Sequence, residues 1–592
     1  MKKNWLFLVL IIILAAFFRF WDLGNIPPGL WSDEAVNGNN TIEALGTHHW
    51  KVFYPENFGR EGLFINIQSI FVAAFGHYPW ALRLPSAIFG VLTVFGLFMM
   101  TKELFKGKER IALFAAFFLA TSFWHINFSR IGFRAIMAPF FLVWSFYFLI
   151  RLLNFTDKIS RRGRAVAESD PDTDRNGVKE ILDAKFRNFS SEILATLAGL
   201  FLGLGFHSYI AFRIAPIIAL FPLWKLYKNW RDGKTNECAP CLIGLFIFMV
   251  FLAALPLLWY YAEHPQDFFG RTSAISIFAS QEPLGQFSEN IVKTLTMFNV
   301  VGDFNWRHNF AGLPQLWWPV GILFLIGIWQ CIKKAAGAGN ENSRRGRAIA
   351  ESDPDTDRNG VKEFSEPATV AFGYQFILLW FFVMLLPVAL SSEGLPHALR
   401  AIILIPPAVI FAALGLDWLI EKIQNWFIQK KAGYPQYAHQ LERISREVSI
   451  LFFVFLFAVA AHAFNQYFLR WANNINVYNS FQADLTAKAY WLNSQPNDIK
   501  KYIITSEVDH VDVRGTPMSF QPIIFITNTF FAPKQQEKNI YYVALKNADQ
   551  IDCSQKCIIV PDEMSLAPYR SLKERIPGLY VDPSPGFIVL RK

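Results

Sequence analysis

Charged residues are scarce in this sequence. Only 17% of its 592 residues are Asp, Glu, Lys or Arg, against about 25% in typical soluble domains. Hydrophobic residues reach 53% and include 60 Phe, which argues against an ordinary soluble protein and favours a membrane protein. No basic stripe with interleaved aromatics occurs, so the net charge of +9 does not indicate nucleic-acid binding. Lys and Arg in cytoplasmic membrane loops explain that charge instead.

A signal-peptide cleavage site is also missing. The chain begins with Lys2 and Lys3 before an apolar run, but Arg19, Phe20 and Trp21 stand where small residues are required. The first apolar run is therefore predicted to remain as an uncleaved membrane span.

Long apolar stretches then recur along the chain at lengths near the roughly 20 residues that cross a bilayer. Eleven spans are predicted, at about 5–22, 79–101, 110–127, 135–152, 193–211, 213–229, 241–259, 316–333, 370–390, 400–420 and 448–467. The apolar segment 63–75 is shorter, which favours an interfacial or re-entrant helix over a crossing.

The distribution of Lys and Arg among the loops predicts the orientation. Basic clusters such as 102–110, 225–234, 333–345 and 422–431 all fall on one side of the predicted membrane. The positive-inside rule places that side in the cytoplasm. The loops 23–78 and 260–315 and the segment after Tyr467 are then extracytoplasmic, in an integral inner-membrane protein.

The segment after Tyr467 differs in composition from the spans. Short β-rich runs at 501–505, 523–527, 540–545, 557–560 and 586–590 alternate with Pro, Asn and Asp, which is typical of a small α/β domain. The predicted fold class is a polytopic α-helical membrane protein with a C-terminal soluble α/β domain. The predicted domain boundaries are 1–467 and 468–592.

One polar cassette occurs twice, at Ser160–Glu180 and Ser343–Glu363, and the two copies differ at a single position. The surrounding sequence does not repeat, so we interpret the cassette as an insertion into exposed cytoplasmic loops, disordered or loosely helical. Its acidic spacing also fits a calcium-binding loop, although flanking helices with apolar faces are not evident. Both a solvated linker and a calcium site remain open.

Cysteine is rare, with five residues in the chain. Cys553 and Cys557 lie in the predicted extracytoplasmic domain, where disulfides persist, and their spacing fits a local bridge. Cys238 and Cys241 lie in a predicted cytoplasmic loop and lack the second ligand pair of a zinc site. We expect these two to be inert.

Two adjacent carboxylates, Asp33 and Glu34, follow the first span and the turn at 26–29. A carboxylate near the membrane surface can act as a general base, for example on an acceptor hydroxyl that attacks a sugar phosphate. A second interpretation is a helix start, since Ser32 and Asp33 suit the first turn of a helix. The two interpretations are compatible.

Cationic side chains on the same predicted side are candidates for holding a phosphate, because guanidinium groups match phosphate oxygens. Interfacial anchoring is the alternative role for each of them. The cationic candidates are Arg60, Arg83, Arg130, Arg134, Arg271, Arg307, His308, His397 and Arg400.

Several motifs together resemble one enzyme family. They comprise Asp33-Glu34, 81–86 (ALRLPS), 127–134 (NFSRIGFR), 205–209 (GFHSY) with Arg213, 302–309 (GDFNWRHN) and 393–400 (EGLPHALR). The chain resembles the GT-C glycosyltransferases, and in particular the bacterial relatives of protein O-mannosyltransferases and of lipid A aminoarabinose transferases. The stretch Arg60-Glu61 departs from the family pattern of a charged residue followed by two prolines.

The resemblance implies an inverting transfer of a sugar from a polyprenyl-phosphate donor to a protein, glycolipid or polysaccharide hydroxyl. It implies Asp33 as the catalytic acidic residue with Glu34 beside it, and an outward-facing cavity. We assign Arg83, Arg130, Arg134, Arg271, His397 and Arg400 to the donor phosphate. The acceptor or donor pocket is assigned Arg60, Glu61, His207, Tyr209, Asp303, Arg307 and His308. No metal ligands are assigned, and a divalent metal cofactor is left open.

Two rival functions follow from the same features. A lipid or solute transporter also has many spans with charged residues at depth, but inverted repeats are not visible here. A non-catalytic scaffold that binds a partner through residues 468–592 is the other rival.

Overall fold

The computed structural model shows a bundle of apolar helices with a mixed sheet at its C-terminal end. It describes residues 2–167, 177–274, 276–279, 281–351, 367–392, 394–505, 511–562, 570 and 572–592. Part of each polar cassette, at 168–176 and 352–363, lies outside the described residues, and with it most of the acidic positions of the predicted calcium site.

The helices before the long second outer loop are α1 (Lys2–Phe20), α2 (Ser32–Thr47), α3 (Leu63–Phe75), α4 (Pro79–Leu104), α5 (Glu109–Thr121), α6 (Phe123–Phe128), α7 (Met137–Ala167), α8 (Gly177–Gly205), α9 (Pro216–Arg231) and α10 (Ala239–Glu263). The helices that follow are α11 (Pro265–Ala274), α12 (Pro283–Thr296), α13 (Trp318–Glu351), α14 (Pro367–Ala389), α15 (Ile405–Gly433) and α16 (Ala438–Phe464). A two-stranded ribbon of β1 (Phe53–Tyr54) and β2 (Arg60–Glu61) lies in the first loop.

Eight helical segments within the described residues are long and apolar enough to cross a membrane. They are Pro79–Leu104, Arg134–Asp157, Ile210–Arg231, Ala239–Glu263, Trp318–Gly337, Ala371–Ala389, Ile402–Gly433 and Pro435–Trp471. The predicted spans at 5–22 and 193–211 correspond to shorter apolar helices, Asn4–Phe20 and Phe189–Gly205. The polytopic helical fold class is confirmed, and α3 is a 13-residue helix, as expected for a segment too short to cross.

The predicted span at 110–127 is not one helix, because the chain breaks at Ser122 between α5 and α6. The break leaves carbonyl oxygens at the end of α5 without a helical donor. The fully buried guanidinium of Arg19 supplies donors for two of these carbonyls. Its Nη1 donates to the Ala120 carbonyl oxygen at 3.1 Å, and its Nη2 donates to the Leu119 carbonyl oxygen at 3.2 Å. Arg19 therefore stabilises the break from α1.

One end of the bundle is marked by ion pairs between α5, the turn before it and α15. At the end where α4 meets α5, Arg110 pairs with Asp417 at 2.9 Å and Lys108 pairs with Glu421 at 2.8 Å. The side chain of Asn4, at the start of α1, hydrogen-bonds to Glu109 at this same end. The C-terminal end of α1, and with it α2, therefore lies at the opposite end of the bundle.

Helices α13 and α15 pack backbone to backbone through two glycines. A Cβ atom on Gly327 would lie 1.8 Å from the Phe411 carbonyl oxygen, and one on Gly415 would lie 2.0 Å from that of Leu323. Small residues permit such close approach of membrane helices.

We expect Gly327→Leu to destabilise the folded protein by about 1–3 kcal/mol or more, because the neighbouring backbone has to move. Thermal melting of purified protein in detergent measures the effect. Gly244→Leu is the matched control, since a Cβ there meets nothing within 4 Å. Equal melting temperatures for the two variants would contradict the packing argument.

The C-terminal region contains α17 (Ile475–Ser480), α18 (Ala483–Ser494), α19 (Gln521–Thr527) and α20 (Ala532–Lys538), with β3 (Lys500–Thr505), β4 (Ile540–Ala544), β5 (Cys557–Pro561), β6 (Tyr580–Asp582) and β7 (Val589–Arg591). The strand order is β4-β3-β5-β7-β6, with β3 parallel to both neighbours and β7 antiparallel to β5 and β6. This confirms a C-terminal α/β sheet unit.

One predicted strand is wrong: residues 523–527 lie within helix α19. Pro522 occupies its first turn, a position that proline favours. The helix is buried along its whole length between the sheet and α2. Because every face is buried, the apolar run carries no periodicity that separates a helix from a strand.

Two disulfides are formed, Cys553–Cys557 and Cys238–Cys241. The first agrees with its spacing and predicted location. The second was not expected, because the sequence places Cys238 and Cys241 in a cytoplasmic loop, where disulfides rarely persist. Cys238 is the N-cap residue of helix α10, and its sulfur accepts a hydrogen bond from the backbone N–H of Cys241 at 3.3 Å.

Candidate active site

Helix α2 begins at Ser32, so the predicted helix start is present, and Trp31 is its N-cap residue without a capping side-chain hydrogen bond. The hydroxyl of Ser32 instead donates to Gln482 Oε1 at 2.6 Å, and the Ser32 backbone N–H donates to the same oxygen at 2.9 Å. The first turn of α2 is thus held from outside the helix by the C-terminal region.

The Asp33 carboxylate is half-buried, with its Oδ1 accepting a hydrogen bond from Asn57 Nδ2 at 2.8 Å. Asn57, Phe58 and Gly59 form a left-handed turn, with φ angles of 52°, 64° and 78°. Asn and Gly tolerate this conformation, whereas Phe strains in it. Such strain is often retained at functional sites, and here the turn orients Asn57 toward Asp33.

Glu34 has a different environment from its neighbour, because it is fully buried. Its carboxylate accepts two hydrogen bonds from Arg83, Nε to Oε1 at 3.0 Å and Nη2 to Oε2 at 3.1 Å. The backbone N–H of Gly132 donates to Oε1 at 2.6 Å. Arg83 also donates to the carbonyl oxygens of Pro27 and Gly29. This bidentate pair joins the first loop to α4 and to the loop before α7.

Arg130 is also fully buried; its guanidinium donates hydrogen bonds to main-chain oxygens and lies against the rings of Tyr467 and Phe468. Its Nη1 donates to the Phe18 carbonyl at 3.1 Å, and its Nη2 donates to those of Trp21 at 2.6 Å and Ile26 at 2.8 Å. These carbonyls belong to the last turn of α1 and the segment beyond it, so Arg130 caps the C-terminal end of that helix.

Arg134 and Glu61 form a second buried ion pair, with 2.6 Å between Arg134 Nε and Glu61 Oε2. The Arg134 guanidinium also lies 6.0 Å from the ring centre of Tyr209. Arg60 precedes Glu61 on β2. Its buried guanidinium donates to the side-chain oxygens of Asn37 and Asn40 on α2.

His207 is buried beyond the end of α8, where its Nε2 lies 3.0 Å from the Ala253 carbonyl oxygen. Glu61 is close enough to interact electrostatically with the His207 ring. His207 therefore joins the group that contains Arg134, Glu61 and Tyr209.

Arg307 lies with its guanidinium 4.2 Å from the ring centre of Trp31 and is half-buried. Burial lowers the pKa of Arg307, while Asp33 and Asp303 act electrostatically in the opposite sense. Trp31 is sandwiched, since Phe133 stacks on it with ring centres 5.8 Å apart. Trp31, two residues before Asp33, thus contacts both the loop of Arg307 and the loop of Phe133.

Asp303, His308 and His397 lie together beside this aromatic group. The distance from Asp303 Oδ2 to His308 Nδ1 is 3.2 Å and that to His397 Nδ1 is 3.9 Å. Burial acts to raise the pKa of Asp303, but the hydrogen bond and charge of His308, with smaller contributions from His397 and Asn305, lower it overall. The His308 ring centre lies 6.4 Å from that of Trp31.

Exposure separates the predicted site residues into two groups. Within the described part of the chain, the half-buried ones are Asp33, Arg307, His397 and Arg400. The others are buried: Glu34, Arg60, Glu61, Arg83, Arg130, Arg134, His207, Tyr209, Asp303 and His308. The side chain of Arg271 lies outside the described residues. Trp31, Asn57 and Gln482 contact the site but carried no recognisable signal in the sequence beyond the proximity of Trp31 to Asp33.

Comparison with known proteins identifies the fold. The structure is similar to the crystal structure of ArnT from Cupriavidus metallidurans bound to undecaprenyl phosphate, with a TM-score of 0.50 and 12% identity over 100% of this chain and 98% of that chain. Residues 63–161 match the family described as dolichyl-phosphate-mannose-protein mannosyltransferase. The chain has the GT-C glycosyltransferase fold. The expected family resemblance and the membrane glycosyltransferase class are confirmed.

Further comparisons add little to this assignment of the GT-C chain. The apo form of the same ArnT gives the same values. The oligosaccharyltransferase of Archaeoglobus fulgidus shows a TM-score of 0.43 at 13% identity, over 91% of this chain and 64% of that one. No curated protein matches the chain significantly. The matched family region contains Arg83, Arg130 and Arg134 but begins after Asp33.

The C-terminal region of this GT-C protein contacts α2 at a second place. Arg514 Nη1 lies 3.5 Å from Glu43 Oε2, and its Nη2 lies 3.8 Å from Glu56 Oε1. Asn39 Nδ2 donates to Gln521 Oε1 at 2.7 Å. Together with Gln482, these contacts fix both ends of α2 relative to the sheet.

We expect Gln482→Ala to lower sugar transfer by about tenfold, because the Ser32 backbone N–H loses its acceptor and the Ser32 hydroxyl keeps only the Met518 carbonyl oxygen at 2.9 Å, so the first turn of α2 becomes more mobile. Gln482→Glu keeps an oxygen at that position and is expected to retain most activity. The turnover of each purified variant at saturating donor measures the effect. Full activity of Gln482→Ala would show that Asp33 is positioned without Gln482.

Proposed function

We propose that the chain is an inverting glycosyltransferase that moves a sugar from a polyprenyl-phosphate donor to an acceptor hydroxyl on a protein, glycolipid or polysaccharide, with Asp33 as general base. The observation that carries this proposal is the environment of Asp33. Its carboxylate is half-buried, oriented by Asn57 and close enough to Arg307 for an electrostatic interaction. The adjacent Glu34 is fully buried in an ion pair and has no comparable access.

The reaction requires one bond to form at the anomeric carbon and one to break. The acceptor oxygen attacks that carbon from the face opposite the phosphate, and Asp33 takes the hydroxyl proton. The bond between the anomeric carbon and the phosphate oxygen breaks, and polyprenyl phosphate leaves with the electron pair. A positioned base of this kind contributes typically about 10²–10⁴-fold to the rate.

Arg307 and Arg400 are the proposed partners of the leaving phosphate. Both are half-buried cations, and the backbone N–H of Arg400 lies 3.4 Å from Nδ1 of His397, beside Asp303. Arg307 is held over the Trp31 ring, and its backbone N–H donates to Asn305 Oδ1 at 3.0 Å. A preorganised cation stabilises charge that develops in the transition state without reorganisation. Arg83 and Arg130, first considered for the phosphate, are proposed instead to hold the first loop in place.

We also propose that this site faces away from the cytoplasm. The support is the positive-inside rule together with the separation of the basic end of the bundle from α2. A donor lipid in the outer leaflet would then reach Asp33 from the side of the bundle. Modification of an introduced cysteine by an impermeant reagent tests the orientation: Phe58→Cys, at an exposed position, should react in intact cells.

Purified protein in vesicles, supplied with labelled polyprenyl-phosphate sugars, tests the reaction itself. Label should leave the donor and appear in an acceptor fraction, either protein or glycolipid. If label moved across the vesicle membrane while remaining on the donor lipid, the transporter interpretation would replace the enzyme. Deletion of residues 468–592 provides the related test of the scaffold interpretation.

A further inference from the structure

The triad Asp303, His308 and His397 places three metal-ligating side chains around one point. Each contributes one ligand atom, and these atoms all lie within 4.8 Å of one another. A tetrahedral zinc ion with bonds of about 2.0–2.2 Å separates its ligands by roughly 3.3 Å. The measured separations from Asp303 Oδ2, 3.2 Å and 3.9 Å, are close to that value.

The triad also has the outer support that metal ligands require. Asp303 Oδ1 accepts the backbone N–H of Asn305 at 2.7 Å, and Oδ2 accepts that of Ala398 at 2.8 Å. The loop of Asp303 is closed by Asn309, whose Nδ2 donates to the Asp303 and Leu313 carbonyl oxygens. The loop of His397 is held by Trp124, whose indole N–H donates to the Ala398 carbonyl oxygen at 2.9 Å. The ligand loops are therefore held in place before any ion binds, and an ion on His397 Nδ1 would replace the 3.4 Å hydrogen bond that this atom accepts from the Arg400 backbone N–H.

We propose that Asp303, His308 and His397 bind one zinc ion, with a fourth position open to water or to a phosphate oxygen. Two imidazoles and one carboxylate suit zinc better than magnesium, which prefers oxygen ligands. Three protein ligands with an open position are typical of zinc sites that contact substrate. The ion would join the loop 297–317 to the loop 390–401.

The bound ion would lie close to the proposed site of sugar transfer. Its role there, which is to help bind the sugar donor, rests on the proposed function. His308 packs edge-on against Trp31, the residue that carries Arg307 on its face and precedes Asp33. With zinc on Nδ1, the proton of His308 resides on Nε2, a buried atom without a hydrogen-bond partner among the described residues.

Metal content tests the site independently of activity. Purified protein is given zinc, freed of excess by gel filtration and measured by mass spectrometry. Every sample carries Cys238→Ser and Cys241→Ser, so that reduction of the Cys238–Cys241 disulfide cannot create a second zinc-binding thiol pair. We expect about one zinc per chain in the parent protein and in His439→Ala, a control at an exposed histidine. His308→Ala and His397→Ala should retain less than a tenth of that.

A gain of signal separates loss of a ligand from loss of folding. Cobalt-loaded His308→Cys should show a thiolate-to-cobalt absorption band that the parent protein and the surface control His439→Cys do not show. Parent protein without zinc, or with zinc unaffected by both alanine variants, would overturn the proposal and leave Asp303–His308 as a hydrogen-bonded pair. Asp33→Asn should keep its zinc while losing transfer, so failure of the metal site and failure of the proposed function are distinguishable.

Discussion

Asp33→Asn is expected to reduce sugar transfer by about 10²–10⁴-fold, the range that a general base contributes. The amide keeps the size of the carboxylate and can still accept the hydrogen bond from Asn57, but it does not take a proton from the acceptor. Expression in the membrane and thermal stability should remain at the parent level, because this half-buried side chain takes no part in the buried ion pairs of the described residues. Initial rates of label transfer at saturating donor measure the effect.

Asp22→Asn is the matched control, because Asp22 is an exposed carboxylate in the same loop that accepts a hydrogen bond from Asn25. Transfer by this variant should stay within about twofold of the parent. If Asp33→Asn also stayed within twofold, Asp33 would play no part in the proton transfer, and another carboxylate would have to be sought.

Glu34→Ala is expected to lower the free energy of unfolding by about 3–5 kcal/mol, since it leaves the Arg83 guanidinium buried without its counter-charge. Both side chains are fully buried, so solvent does not compensate for the missing carboxylate. The Gly132 N–H loses its acceptor as well. Thermal melting in detergent and the yield of monodisperse protein measure the loss.

Glu447→Ala is the control for this prediction. It removes the partner of Arg443 in an exposed helix pair and should leave the melting temperature unchanged.

The more conservative Glu34→Gln separates a structural role of Glu34 from a catalytic role. The amide retains an acceptor for the Gly132 N–H. If Glu34 has only a structural role, Glu34→Gln should lose less stability than Glu34→Ala, and its transfer activity should fall only as far as its folded fraction does. A Glu34→Gln protein that melted like the parent but had lost transfer more than a hundredfold would return Glu34 to the catalytic step.

The arginines show where sequence reasoning ends. Arg83, Arg130 and Arg134 each occur in a motif near the end of a span, which suits a phosphate ligand as well as a structural cation. Whether such an arginine binds phosphate or holds the fold together depends on the carbonyl and carboxylate groups that folding brings next to it. Arg130 meets the open end of α1, and Arg83 and Arg134 meet Glu34 and Glu61, residues distant in the chain. Local sequence carries no record of these encounters.

The fold was more predictable than the site, for a physical reason. A membrane span is specified by about 20 consecutive residues, so helices such as α4 and α10 are evident from composition. Strands β3, β4 and β5 could be predicted because their apolar runs are bounded by turn residues. The break at Ser122 and the helix α19 were missed, since both depend on distant partners: Arg19 for the first and α2 for the second.

The contacts of Gln482 and Arg514 with α2 have a consequence for engineering. A chimera that grafts the C-terminal segment of a relative onto this bundle would remove the oxygen that Ser32 uses and the guanidinium that approaches Glu43 and Glu56. Those two carboxylates would then have to share the ammonium group of Lys51, which lies 2.9 Å from one and 4.0 Å from the other. A functional graft therefore has to exchange helix α2 together with the segment that covers it.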